Sequence, residues 1–396
     1  PSPLPAARTF AAVQTVGRFL YLAGGNNGTA AVNTVLRAEV LQPAGAPVVS
    51  DVLITIGTSG LTSGVWYYRV AAVMGAADPS NTGGETLASD PQPIAVPIAA
   101  SGLLRPTLTW TAVSGAVGYR IYRSPTANLA AGAERLLVTT AAVTSYTDTG
   151  GATGAADFRH VGDLGNWATL SALGTTREGL SLAFGVDPAS PATTYLYALA
   201  GRNAAGTALA SWERATITTA ASGAQTMTAF SAGGASLGTA RWQTGTYLVT
   251  DAVTTRVPAG DTWIYVGPGR NGPATGFVDE VSAAHVLPGG ALTTWQAVAA
   301  PSQRAGYAFA AAANQLFVLG GANGGASADG RGAQICGDGA CPGNQVIPEL
   351  KNWNAVPNGL LTARIYPGSA VESAHIFVVG GYAGSAALKS VETKVW

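Results

Sequence analysis

Charge is the scarcest commodity in this chain. Of 396 residues, 21 are Lys or Arg and 21 are Asp or Glu, so the formal net charge is zero. A nucleic-acid partner needs a basic surface to neutralise phosphates, and an anionic membrane surface needs the same; the sparse, balanced charge argues against both as partners. No apolar run approaches the roughly 18 residues that cross a bilayer, so no membrane span is expected. There are three histidines, His160, His285 and His375, at scattered positions, whereas a zinc or copper centre wants clustered ligands. Patterns for a zinc protease or a P-loop are missing. The Gly-rich stretches GGASADGRG and GDGACPG are not followed by a helix, whose N-terminus a phosphate cradle requires. No catalytic or cofactor-binding residue is therefore assigned, and a non-enzymatic role is expected.

Cysteine is almost missing too. Cys336 and Cys341 are the only two, in ICGDGACPG. Their spacing and Gly-rich connector permit a small disulfide loop. A metal or redox pair is the weaker reading, because no His lies nearby and this spacing alone is not a zinc pattern. A disulfide implies an oxidising location, hence an extracellular or cell-surface protein. The chain begins with Pro rather than Met, which fits removal of a leader, and its Ala/Gly/Thr-rich strands fit an exported bacterial protein.

What the chain has in quantity is apolar residues, 47% of the total, together with 52 Gly and 22 Pro. That rules out disorder. With no stretch of helical periodicity, it points to an all-β fold built from short strands and turns. One pattern recurs. Arg8 precedes Gly24-Gly25 (LYLAGG), Arg304 precedes Gly320-Gly321 (LFVLGG) and Arg364 precedes Gly380-Gly381 (IFVVGG), each by the same sixteen residues to the first Gly. Fixed spacing of this kind signals stacked copies of one supersecondary unit. Two weaker copies lie between them, TTYLYALAGR at 193–202 after Arg177 and TWIYVGPGR at 262–270 after Arg241. A third alternating strand follows in most copies (NTVLRAEV, VDEVSAAHV, KSVETKV), and Trp167, Trp295 and Trp353 come next, before the following Arg.

This unit resembles the kelch repeat, with its Arg before an innermost strand, its strand ending in Gly-Gly, its third strand and its outer Trp. The resemblance implies a β-propeller of four-stranded blades around a channel, here with about five recognisable blades. The last copy ends near the close of its third strand, so its blade is expected to be completed by residues outside this segment or by a strand from another copy. The first repeat is interrupted. LTWTAVSGAVGYRIYRS (108–124), with Trp110, Tyr119 and Tyr122, resembles strands B and C of a fibronectin type III domain. LLVTTAAVTSYTDTG (136–150) resembles its strand E and following turn, and GVWYYRVAAV (64–73) and GETLASDPQPIAV (84–96) resemble strands F and G. The implied order is that of a circularly permuted β-sandwich, inserted where its adjacent ends suit a loop. The expected division is 1–46 propeller, 47–156 sandwich and 157–396 propeller.

The repeated arginines admit two roles. Ringing one end of a channel, they would form an anion or acidic-glycan site. Bonding strand-end carbonyls with their five donors, they would tie blades together, and recurrence in every copy favours this. Trp66, Trp242 and Trp263 fall outside the repeat and could line a sugar-binding face, though core packing is the commoner use of such rings. Asp329 and Asp338 could help hold Ca²⁺, which wants six or more oxygens; otherwise no cofactor is expected. Asn27-Gly28-Thr29 is an acceptor sequon. The expected function is a secreted or surface structural or adhesive protein working through protein contacts, with copies of itself or other surface proteins as partners. A glycan-binding surface protein and a propeller-scaffold enzyme acting on sugars are the alternatives.

Overall fold

The computed structural model describes residues 2–99, 102–250, 257, 259–272, 276–312, 314–336, 348–357, 359–372 and 375–395. Period-two apolar patterning bounded by Gly, Asn and Pro favours short strands and tight turns. Among the described residues the regular structure is β throughout, apart from two three-residue 3₁₀ turns, Pro43–Gly45 and Pro288–Gly290. The strands form several antiparallel sheets in two compact units, residues 1–5, 17–20 and 37–168 in one, and 6–16, 21–36 and 169–396 in the other. The continuous stretch 37–168 compares with the 47–156 span read from sequence.

The first unit holds a three-stranded and a four-stranded sheet. In the former, Leu103–Trp110 is flanked by Val49–Gly57 and Ser145–Thr147; in the latter the order is Gln92–Val96, Gly64–Met74, Ala116–Arg123, Arg135–Ala141. One apolar core joins the two, with Trp66, Tyr68, Val70, Leu108, Trp110, Tyr119 and Ile121 at its centre, which makes this a β-sandwich. Residues 136–150 depart from the single strand and turn expected. A tight turn, in which Val143 N–H donates to Ala141 O at 2.7 Å, carries the chain from one sheet to the other, so each half pairs on a different sheet.

The remaining strands form five larger sheets in chain order, each built on an antiparallel meander, and a separate two-stranded pair, Gly269–Arg270 with Phe277–Val278; Ser231–Ala232 also pairs with the third strand of the second sheet. The division between the units passes through the strands of the first, whose order is Ala12–Val16, Phe19–Ala23, Val35–Glu39, Ala168–Leu170. The second runs Ser181–Asp187, Ser190–Leu199, Trp212–Thr219, Gln225–Met227, and the third Thr246–Thr250, Thr262–Val266, Val281–His285, Gln296–Val298. The fourth runs Ala308–Ala312, Gln315–Leu319, Gly330–Gln334, Asn354–Ala355; the fifth has three strands among the described residues, Gly368–Glu372, His375–Val379, Val391–Val395. The opening strand pairs of the first, fourth and fifth sheets start at the same distance from their Arg, four and eleven residues on. Trp167, Trp295 and Trp353 each sit directly before a fourth strand.

Neighbouring sheets pack face to face through alternate residues of their strands. Tyr197, Leu199 and Trp212 of the second meet Ile264, Val266 and Ala284 of the third. Tyr265 and Val249 of the third meet Phe309, Leu316 and Val318 of the fourth. Phe317, Leu319 and Ala310 of the fourth meet Ile376 and Val378 of the fifth. An aromatic ring marks these faces: Tyr21, Tyr197, Tyr265 and Phe317 lie on the second strand in sheets one to four, and all are buried. The three tyrosine hydroxyls reach across to the next sheet, donating to Gln225 Oε1 (2.7 Å), Gly290 O (2.9 Å) and Pro348 O (3.0 Å). A buried hydroxyl needs such an acceptor.

Candidate functional site

The five arginines are the most ordered polar set, and their geometry is shared. Each sends Nη1 to the carbonyl that ends its sheet's second strand: Arg8 to Gly24 (3.0 Å), Arg177 to Ala200 (2.7 Å), Arg241 to Gly267 (3.1 Å), Arg304 to Gly320 (3.2 Å) and Arg364 to Gly380 (2.8 Å). Nη2 turns to side chains at the head of the third strand. Arg8 meets Thr34 there, whereas Arg177, Arg241, Arg304 and Arg364 are ion-paired with Glu213, Glu280, Asp329 and Glu392. Arg177, Arg241 and Arg364 are almost wholly buried. Burial pushes the Arg241 guanidinium down, a shift its partner Glu280 opposes. Burial would raise the Glu280 carboxyl, but hydrogen bonds from Ser282 and Thr239 and the charge of Arg241 hold it below its ordinary 4.5. These guanidiniums are engaged inside their own sheets rather than offered to a ligand.

Contact between sheets is made instead by the arginine's backbone. Gly25 N–H donates to Arg177 O (2.7 Å), Gly201 N–H to Arg241 O (2.9 Å) and Gly321 N–H to Arg364 O (2.8 Å). This explains the Gly-Gly pair. Gly24 and Gly25 have φ of +61° and +92°, and a Cβ on Gly24 would lie 2.3 Å from Arg177 O, so only glycine fits. The third copy differs. Pro268 stands where the second Gly would be and has no N–H to give, and its carbonyl accepts the Tyr307 hydroxyl at 2.8 Å instead.

Sequence reasoning missed a second repeated position, two residues after each Arg. Phe10, Gly179, Gln243, Gly306 and Tyr366 all adopt the left-handed conformation, with φ between 53° and 60°. Their backbones join in series: Gly179 N–H to Phe10 O (2.8 Å), Gln243 N–H to Gly179 O (2.7 Å), Gly306 N–H to Gln243 O (3.0 Å) and Tyr366 N–H to Gly306 O (2.7 Å). The Phe10 and Tyr366 rings, from the ends of the series, meet edge to face at 5.3 Å. The Tyr366 hydroxyl accepts from Gln243 Nε2 at 2.8 Å. The fixed offset from Arg was the only signal available, because the five residues share no chemistry.

The other candidates lie apart. Trp66 is in the sandwich core, its indole N–H bonded to Thr62 O (3.0 Å) and Arg123 over its ring. Trp242 is buried, with the Arg202 guanidinium 3.8 Å above its ring. Trp263 is half-buried and stacks on His285 at 4.9 Å. Three separate packing environments do not make one sugar-binding face. Asp329 is engaged by Arg304 Nη2 (2.7 Å) and Arg331 Nε (2.9 Å), an environment that competes with a cation, and Asp338 lies outside the described residues. Cys336 is buried, and its N–H donates to Glu349 O at 2.9 Å; Cys341 lies outside the described residues. His160 stacks on Phe158, and His375 on Phe377. Among the described residues no three His, Cys, Asp or Glu side chains gather as metal ligands, and no helix is long and apolar enough to cross a membrane. Asn27 of the sequon lies in an exposed turn, its Oδ1 accepting the N–H groups of Thr29 and Ala30. No protein-family model matches the sequence, and no curated protein matches it.

Proposed function

We propose that this chain is a structural or adhesive protein of the cell exterior, a kelch-like blade array carrying a fibronectin-like sandwich, that works through protein contacts. The observation that carries this reading is the outer face of the fifth sheet. Where sheets one to four bury an aromatic ring on the second strand, the fifth carries Phe377, which is only half-buried. Beside it Val379 and Val391 are 46% and 57% exposed and directly paired across the strands. In the other sheets this face is covered by the next sheet, so its complement is another apolar sheet face. Exposed apolar surface of this kind marks interaction sites. We take a second copy of the chain as the partner.

Sedimentation velocity over a wide concentration series tests it. Association should appear in the wild type and be lost in Val379→Lys, which places a charge on this apolar face. A wild type that stays monomeric at every concentration overturns self-association. The external setting and a Cys336–Cys341 bond belong to the same reading, and peptide mapping of unreduced native protein that found two free thiols would remove that support.

A further inference from the structure

We propose that the sandwich unit carries a binding cleft for a uronate, a pyranose sugar bearing a carboxylate. This is independent of the contact surface on the fifth sheet. The cleft encloses about 650 Å³ and is lined in part by Arg69, Asp90, Gln92, Phe158, Arg159 and His160. That volume lies within the range typical of small-ligand pockets.

Its best-defined feature is a three-layer stack. The Arg69 guanidinium lies 4.5 Å from the Phe158 ring centroid, and the His160 ring lies 4.6 Å from Phe158 on a plane tilted by 32°. The bottom layer is fixed, because Arg69 Nη1 donates to Ser89 O at 2.9 Å and its Nε faces the wholly buried Glu134 carboxylate at 3.4 Å. The top layer is fixed through its backbone, His160 N–H donating to Asp163 Oδ2 at 3.1 Å. His160 is nonetheless exposed, and the neighbouring Val161 is 80% exposed. A flat ring stacked on Phe158, with an apolar side chain beside it, offers a platform to the C–H face of a pyranose.

The polar groups decide which pyranose. Arg69 is paired with Glu134, so the charges the lining itself offers a ligand are Arg159, a cation, and Asp90. Arg69 is committed to the stack. Arg159 is half-buried, its Nη2 donating to Ser2 Oγ at 3.4 Å, and with five donors a guanidinium can also grip a carboxylate in bidentate fashion. Asp90 and Gln92 supply acceptors for ring hydroxyls. A bare anion would use Arg159 and leave the platform idle; a neutral sugar would use the platform and leave Arg159 unmatched. A uronate uses both.

Titration calorimetry of the full chain with digalacturonate, its dimethyl ester and inorganic sulfate tests the assignment, since acid and ester differ in charge and little in shape. Digalacturonate should bind saturably, and the ester roughly tenfold more weakly, as expected for one charged hydrogen-bonding partner. Arg159→Gln should bring acid and ester to the same affinity, whereas His160→Ala should weaken both together. Absence of saturable binding, equal affinity for acid and ester in the wild type, or sulfate binding as tightly as digalacturonate each overturns the proposal. Should Arg159→Gln fail to fold by circular dichroism, the acid–ester comparison in the wild type decides alone.

Discussion

Removing the Arg241 side chain is the sharpest test of what the repeated arginines do. Arg241 is fully buried and donates to Thr239 O, Gly267 O, Glu280 O, Ser282 Oγ and the Glu280 carboxylate. Arg241→Ala strands that carboxylate. Breaking a buried pair on one side costs about 3–5 kcal/mol. Glu280 is 18% exposed and keeps its bonds to Thr239 and Ser282, and Gly267 O keeps Thr244, so the cost should fall near 3 kcal/mol. At 2–4 °C per kcal/mol for a unit of this size, the melting transition should drop by about 6–12 °C. Arg8 is only half-buried and makes two such bonds, so Arg8→Ala should cost about 1 kcal/mol. Arg241→Ala combined with Glu280→Gln should recover part of the loss, because no charge is then left unpaired. Scanning calorimetry of the four proteins reads all of this. If Arg241→Ala melts no lower than Arg8→Ala, the guanidinium is not the internal tie inferred for it.

Two further outcomes are expected. Because the Glu280 and Asp329 carboxyls are held below their ordinary values of 4.5 and 3.8, the stability they contribute is complete above those values and is lost as pH falls through the lower folded-state values; urea midpoints measured across the acid range should therefore fall less steeply in Glu280→Gln than in the wild type. Gly306 has φ +60°, and a Cβ there would sit 2.5 Å from the Tyr366 ring, so Gly306→Ala should destabilise by about 1–3 kcal/mol in urea unfolding, and an unchanged midpoint would mean the position is not constrained as described.

How far the sequence could be read depended on which physical constraint left a mark in residue type. The strands ending at Ala23, Leu319 and Val379 were plain, because an apolar run halted by two glycines reflects both burial and a backbone shape no other residue tolerates. The weaker second and third copies were legible only as strands. There Ala200 and Pro268 replace glycine, and the surroundings adapt through Ala200 in a left-handed conformation (φ 58°) and through the Tyr307 hydroxyl. The acid partners of the arginines were in plain view in SWE, DEV, ADG and SVE, yet their distance from each Arg varies with the turn between, so spacing could not reveal them. The left-handed series was hidden for a different reason. Its function is performed by backbone N–H and C=O groups, which every residue but proline carries, so Phe, Gln, Tyr and Gly can all fill it. The cleft on the sandwich was also out of reach, since its stack is assembled from residues as far apart as Arg69 and His160.

The serial backbone bonding at Phe10, Gly179, Gln243, Gly306 and Tyr366 has a consequence for how the array comes apart. These backbone bonds couple each sheet to its immediate neighbours, while the side chains of Phe10, Gln243 and Tyr366 add ties that skip neighbours. Through its packed faces the array is quasi-one-dimensional, with stability set largely by each unit and by the interfaces on either side of it. A sheet in the middle must break two interfaces to open; the fifth, with its outer face bare, need break only one. Local opening is then graded along the chain, and amide exchange would be slowest around the third sheet and fastest toward the fifth. A partner seated on that bare face would do more than attach. It would convert an end into a middle, and the slowing would travel inward from the point of contact.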